Sequence, residues 1–228
     1  TNYMNLWAKI HLAYAGMKKI TTGIAGLINN ANEYIEDMNL FNVSMGQYAQ
    51  EAGAYAQQVS SVMGIDPGEW IRNQSIFQTI ITGFGNSADA AYVMSKNLTQ
   101  LGYDLSSFFN ISYEDAFQKL QSGIAGELEP LRRLGYDLSV ARLKQEAYAL
   151  GINKSVSSMT QAEKSMLRYH AIMTQVTTVQ GDMARTLSAP SNQLRVLRAE
   201  LQMTARAWGQ LFVPVLQAVL PYLIAAAQ

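Results

Sequence analysis

Leu101-Gly102-Tyr103-Asp104-Leu105-Ser106 recurs letter for letter as Leu134-Gly135-Tyr136-Asp137-Leu138-Ser139. Each copy reads as a helix stop followed by a helix start. Gly102 and Gly135 are free to take the left-handed conformation that closes a helix without a Cβ penalty. Ser106 and Ser139 carry the hydroxyl that caps the next one. In the second copy Leu138 precedes the cap and Leu143 falls at the fourth helical position, the spacing of a hydrophobic staple. The repeat predicts an all-α chain, a multi-helix segment with short Gly/Pro corners, and the apolar stripes along its helices predict an elongated, self-associating one.

Working outward, the N-terminal stretch carries a period-3.5 stripe: Trp7, Ile10, Tyr14, Met17, Thr21, Ile24, Ile28, Ala31, Ile35 and Met38. It predicts a helix over 3–40 with a seam for a partner helix. A second stripe runs Met45, Ala49, Ala52, Ala56, Val59, Met63 and ends at Gly64. Asp66-Pro67 then reads as cap and first helical residue. Trp70, Ile71, Phe77 and Ile80 belong to the next helix, which Gly83-Phe84-Gly85 breaks. Another runs from Asn86 to Leu101. Ser112-Tyr113-Glu114-Asp115 opens a further one, in which Gly123 and Gly126 break the pattern. Leu128, Leu131 and Leu134 make a short helix into the second corner, and 138–150 follows. Thr160-Gln161-Ala162-Glu163 is a capping box, with Ala162, Met166, Tyr169, Met173 and Val176 as the stripe behind it. The last helix starts near Pro190-Ser191, with Leu194, Leu197, Leu201, Thr204, Trp208, Leu211, Val215, Ala218 and Tyr222 along its seam. No charge follows Arg206, so about twenty uncharged residues remain, near the length that crosses a bilayer. Pro214 and Pro221 predict a kinked apolar helix there. These segments group as 1–64 (long helices in a hairpin or rod), 65–189 (a helical domain with the repeated corner) and 190–228 (a helix with an apolar end). No strand alternation is sustained anywhere.

The chain has 228 residues with 17 basic and 17 acidic side chains, and only 15% of it is charged while 49% is hydrophobic. Neutral balance offers no electrostatic case for nucleic acid. So few charges on a helical chain imply apolar surface that meets another chain, a tube wall or lipid. There is no cysteine, which removes disulfides and thiol chemistry. The chain begins at Thr1 without a signal-like segment and stops inside an apolar run, as expected of a piece of a longer protein.

Chemistry-bearing patterns are sparse. His11 and His170 lie on separate helices, and neither has a histidine or carboxylate three or four residues away, so no metal site emerges. Gly83-Phe84-Gly85 lacks the rest of a dinucleotide loop, and no phosphate loop is present. Glu127 and Glu129 are two apart and face different sides of a helix; they suit a helix N-terminus better than a glycosidase pair. Arg132, Arg133, Arg142 and Lys144, interleaved with leucines, read as a solvated face. No nucleophile elbow occurs. The residues therefore point to no enzyme, no cofactor and no catalytic or cofactor-binding side chain.

Between Tyr113 and Leu201 lie Phe117-Gln118-Lys119-Leu120-Gln121-Ser122-Gly123, Gly126-Glu127-Leu128-Glu129-Pro130-Leu131-Arg132-Arg133-Leu134-Gly135, Met159-Thr160-Gln161-Ala162-Glu163-Lys164 and the run from Gln180 to Leu197, QGDMARTLSAPSNQLRVL. This region resembles the tape measure proteins of long-tailed bacteriophages and related tail-like particles. The likeness extends less sharply to about Asp66 and through the apolar end; residues before Gly64 carry no matching motif. The resemblance implies a structural virion protein inside the tail tube, whose length sets the length of the tube. It implies trimeric or hexameric copies side by side and contact with tail-tube and tail-tip or baseplate-hub proteins. It also implies release at infection into the host envelope, with contact to the host membrane to aid DNA delivery. Some family members carry peptidoglycan hydrolase domains, of which this chain shows no motif. Family members form long rods, whereas a single helix of this length would reach about 340 Å, which the corners here oppose. On this reading Trp7, Ile10, Tyr14, Met17, Ile24, Met166, Tyr169, Met173, Leu194, Leu197 and Leu201 make helix or partner contacts. Trp208, Leu211, Phe212, Val215, Leu216, Tyr222 and Leu223 meet the membrane. A membrane-active, pore-forming helical protein is the alternative, and a wall-hydrolase fragment a more distant one.

Overall fold

The computed structural model describes the backbone of residues 2–227 and the side chains of 22–219 apart from 24, 212 and 216. It is all-α: α1 (Asn2–Met45), α2 (Ala49–Met63), α3 (Pro67–Gly83), α4 (Ala88–Phe109), α5 (Tyr113–Ala125), α6 (Glu129–Arg132), α7 (Val140–Ala149), α8 (Gln161–Gln175), α9 (Asp182–Arg185) and α10 (Pro190–Ala227), with 3-10 turns at Gly46–Tyr48 and Val156–Ser158. No strand occurs among the described residues. By compactness the chain forms two units, Thr1–Asp37 with Arg198–Gln228, and Met38–Leu197.

Within Met38–Leu197 the helix ends are set by local chemistry. Gly64 closes α2 at φ 62°. The Asp66 carboxylate accepts the Gly68 N–H at 2.8 Å, ahead of Pro67 at the first position of α3. Ser87 and Ser112 cap α4 and α5 by accepting the amides of Ala90 and Asp115. Thr160 and Glu163 exchange hydrogen bonds at the start of α8, the reciprocal pair that the sequence predicts. Apart from Gly64, which donates its amide to the Ser60 carbonyl at the end of α2, each device occupies amides that the first turn of a helix leaves open.

The two copies of the hexapeptide do not share a structure. The second is the expected corner: Gly135 stands at φ 90°, and Ser139 accepts the Arg142 amide at 3.3 Å. Asp137 accepts the Ser139 amide at 2.8 Å, which with the Ser139 hydroxyl holds its carboxyl below the ordinary range. The Gln175 side chain grips both backbone groups of Asp137 at 2.9 Å. The first copy is no corner. It lies wholly inside α4, every one of its residues is buried, and the helix closes later, at Asn110 with φ 51°. The reason is packing: the Phe117 ring lies directly on Gly102, so the glycine admits a neighbour instead of turning the chain. Gly123 behaves alike inside α5, buried against Leu131, and it is Gly126 at φ 110° that ends that helix.

Around Gly102 the core of this unit is aromatic. Trp70 and Tyr103 stack with centroids 5.8 Å apart, and Tyr103 meets Phe117 and Tyr113 edge-on at 5.2 and 4.6 Å. The second stripe (Met45, Ala49, Ala52, Ala56, Val59, Met63) turns inward as its spacing predicts. The α8 stripe does so only in part: Val176 is buried, and Tyr169 and Met173 pack against the core. Met166 is 50% exposed, and Ser165, Leu167, Ala171 and Ile172 are the buried residues. The helix is rotated because polar side chains bind it: Asn97 donates to the Tyr169 hydroxyl, Asn86 to Ser165, and Arg168 reaches the carbonyls of Ile124 and Ala125 at the end of α5. Ile35 on α1 is likewise exposed. The α10 backbone stays helical through Pro214 and Pro221, each of which removes one hydrogen bond without ending the helix.

Gly102→Ala drives a methyl into the Phe117 ring and is expected to lower unfolding free energy by about 1–3 kcal/mol in urea titrations. Combining it with Phe117→Leu restores most of that loss, whereas Gly135→Ala, with open space but a left-handed backbone, costs about 1–2 kcal/mol that no neighbour change repairs. At the start of α3, burial first and the Asp66 charge second push the Glu69 carboxyl up to about 7 from 4.5, with Arg72 opposing. The folded state therefore holds this proton more tightly than the unfolded one. Its contribution is complete below pH 4.5 and disappears as pH rises to about 7, at most about 3 kcal/mol because Glu69 keeps some water contact. Glu69→Gln flattens the melting temperature against pH across that window; an unchanged slope rejects the assignment.

Candidate functional site

The start of α10 is anchored by a buried polar clamp. Asp104, inside α4 and 1% exposed, accepts the backbone amides of Gly181 at 2.8 Å and Met183 at 3.1 Å. Burial holds its carboxyl above the ordinary range while those two amides pull it down. One turn on, the Ser107 hydroxyl donates to Asp182 at 2.7 Å. Asn192, 2% exposed in the first turn of α10, donates to Ser107 at 3.1 Å and to both oxygens of Thr186, at 2.9 and 3.0 Å. Arg195 donates to the carbonyls of Ser106 at 3.2 Å and Ile111 at 2.9 Å, with its guanidinium 5.2 Å from the centre of the Tyr113 ring. Burying polar groups costs least when they are satisfied in this way. None of these residues stands out by its own pattern. The available signal was the polar run from Gln180 to Asn192, too rich in donors and acceptors for a plain connector.

In the Thr1–Asp37 and Arg198–Gln228 unit, α10 has two unlike faces. One packs against α1 in antiparallel fashion, with Gly209 against the Leu27 carbonyl and Ala31, and Arg206 over the Tyr34 ring at 4.4 Å. Any side chain at 209 collides with that carbonyl, so the two backbones meet there. The closest contact on this inner face is made by small residues, Gly209 and Ala31. The outer face is greasier: Leu201, Trp208, Leu211 and Val215 are 59–65% exposed, with Thr204 and Ala218 exposed between and beyond them. Their three-four spacing is that of a coiled-coil seam, and none of them is covered by the described residues. Leu194 and Leu197, in the other unit, are also exposed.

The remaining expected contact residues divide. Tyr169 and Met173 are half-buried, and Met166 is exposed. The side chains of Trp7, Ile10, Tyr14, Met17, Ile24, Phe212, Leu216, Tyr222 and Leu223, and of His11, lie outside the described residues. Among the described residues no helix is long and apolar enough to cross a membrane. Glu129 lies in the first turn of α6 and pairs with Arg132 and Arg133. Arg142 is not simply solvated; it pairs with the buried Glu146 at 2.5 Å. That carboxylate also receives His170 Nδ1 at 3.0 Å and the Thr174 hydroxyl at 3.3 Å, a carboxylate–histidine contact supplied by a neighbouring helix. A cavity of about 290 Å³ opens beside Asp104, with Asn97, Gln100 and Gln180 at its rim. Both Asp104 oxygens are already occupied by protein donors, which leaves no unsatisfied charge to aim at a ligand.

No family model, curated protein or solved structure matches the chain. The clamp gives a direct test of what positions α10. Asp104→Ala strands two buried amides at about 1–3 kcal/mol each, and Asn192→Ala removes the four contacts of that side chain, including the one its Oδ1 accepts from Arg195. Both are expected to speed hydrogen exchange over 176–197 more than over α2 and α3. Uniform acceleration across the unit contradicts a local anchoring role.

Proposed function

We propose that this chain is a segment of a tail tape measure protein, a structural component of a phage tail or tail-like particle. On this reading it is not an enzyme. It lies in the tail lumen as trimeric or hexameric copies against tube and hub proteins, sets tail length, and passes to the host envelope when the genome is delivered. Helices suit a ruler because each residue adds a fixed rise of about 1.5 Å. The resemblance carried by the run from Gln180 to Leu197 motivates the assignment. The observation that carries it furthest is the outer face of α10, where Leu201, Trp208, Leu211 and Val215 stand in water at coiled-coil spacing. A seam of that kind is stabilised by covering it, at about 25 cal/mol for each Å² removed from water. The low charge content supports the same view.

Exposed Trp208 and Leu211 also favour contact with a membrane surface, where a helix lies in the interface and needs one apolar face only, not a full span. The two readings separate by experiment. Light scattering on the purified chain is expected to give a three- or sixfold mass, reduced to one copy by Leu201→Lys with Leu211→Lys, both outward-facing and harmless to the fold. Dye release from anionic vesicles, lost in the same variant, with a single-copy mass throughout, favours the membrane-active alternative. In-frame deletions in the intact tail gene are expected to shorten tails by about 1.5 Å per residue removed from the ruler; unchanged tails would defeat the assignment.

A further inference from the structure

The cavity beside Asp104 is used neither by the clamp nor by the seam of α10. Asn97, Gln100, Leu101 and Asp104 of α4 line it. At 100° per residue these four share an arc of about 100° on that helix. Met173 of α8 and Gln180, just ahead of α9, belong to the same lining. The volume of about 290 Å³ stands at the lower end of the range of about 300–1,000 Å³ in which small-molecule sites fall.

What a ligand meets there follows from which polar atoms are already spent. Asp104 accepts the amides of Gly181 and Met183 and, at 3.4 Å, the Gln100 side chain, so it asks for no further partner. Gln100 Nε2 also lies 3.4 Å from the Met63 sulfur. Asn97 Nδ2 donates to the Tyr169 hydroxyl at 2.7 Å. Both amide side chains are thus tied down by their nitrogens, and the ends left over are oxygens. Asn97 Oδ1 and Gln100 Oε1 accept nothing from the described residues, and neither is sealed in the interior. Gln180 is exposed at the rim and carries both a donor and an acceptor.

A pair of held acceptors beside a filled carboxylate selects a ligand with two neighbouring donors and no charge. Hydroxyl groups on adjacent carbons meet that demand: each donates once and keeps lone pairs for the Gln180 N–H. A backbone amide brings a single donor. An ammonium brings a charge for which no free carboxylate waits. Leu101 and the Met173 thioether offer apolar surface to the C–H face of a ring.

We propose that this cavity binds a small neutral polyol of the sugar class, with the amide oxygens of Asn97 and Gln100 accepting from adjacent hydroxyls and Gln180 closing on the ligand from the rim. The proposal is independent of the tape measure reading.

D-Glucose is the probe, with n-butylamine as the cationic comparison. The full chain, isotope-labelled at nitrogen, is titrated with each and followed by NMR of its side-chain amides. The Asn97, Gln100 and Gln180 signals are expected to shift together with glucose along one saturating curve. Gln100→Met keeps the length of the side chain and loses the oxygen; it is expected to weaken glucose binding by about fivefold or more. Gln180→Ala, at an exposed position, is expected to weaken it by about threefold with the fold untouched. Unaltered hydrogen exchange at Gly181 and Met183 shows that the clamp has survived either change. Glucose held within about twofold of the native affinity by both variants, a response that does not saturate, or larger shifts of these amides with n-butylamine overturns the site.

Discussion

A carboxylate taken out of water must find donors, and Asp104 finds them on a segment 77 residues away in sequence. That constraint organises the larger unit. Asp104 cannot be buried in α4 unless the Gly181–Met183 turn folds onto it, and once the turn is there, Ser107, Asp182, Thr186 and Asn192 close into one network. The network fixes where α10 begins. Removing water from the cluster strengthens each of these bonds and raises the cost of leaving any one unmade. A string of polar residues between two helices thus works as an anchor.

The hexapeptide shows how far a sequence can be read and where reading stops. Its second copy was legible because everything the corner needs is local: a glycine, a capping serine, an aspartate that serves its own backbone. Its first copy was not, because what keeps Gly102 helical is the ring of Phe117, brought in by a different helix. Asp104 and Asp137 occupy the same place in the two copies, and their carboxyls move in opposite directions, one raised by burial and one lowered by neighbouring donors. The capping box at Thr160, the Asp66-Pro67 start and the Gly64 stop were equally local and equally legible.

Periodicity was a poorer guide to orientation. The three-four spacing gave the helices correctly for α1, α2, α8 and α10. It gave the buried face correctly for α2, where alanines and methionines face the core, and only in part for α8, where Tyr169, Met173 and Val176 turn to the core but Met166 does not, and hydrogen bonds from Asn86, Asn97 and Arg168 set the rotation. On α10 the apolar stripe is exposed, because a close helix pair selects small residues: Gly209 and Ala31 fit that contact, and Leu201 or Trp208 do not. The polar clamp and the Glu146–His170 pair were invisible for a simpler reason. Their members are distant in sequence, and single-chain spacing carries no record of such meetings.

The balance of charge has a colloidal consequence once the outer face of α10 is taken into account. With 17 charges of each sign, the molecules exert no long-range repulsion near their isoelectric point of about 6.7. Leucine and tryptophan side chains on that helix then have no barrier to encounter. Solutions of this protein should show attractive virial behaviour near neutrality and become better dispersed in alkali, where net negative charge keeps chains apart before their greasy edges can touch.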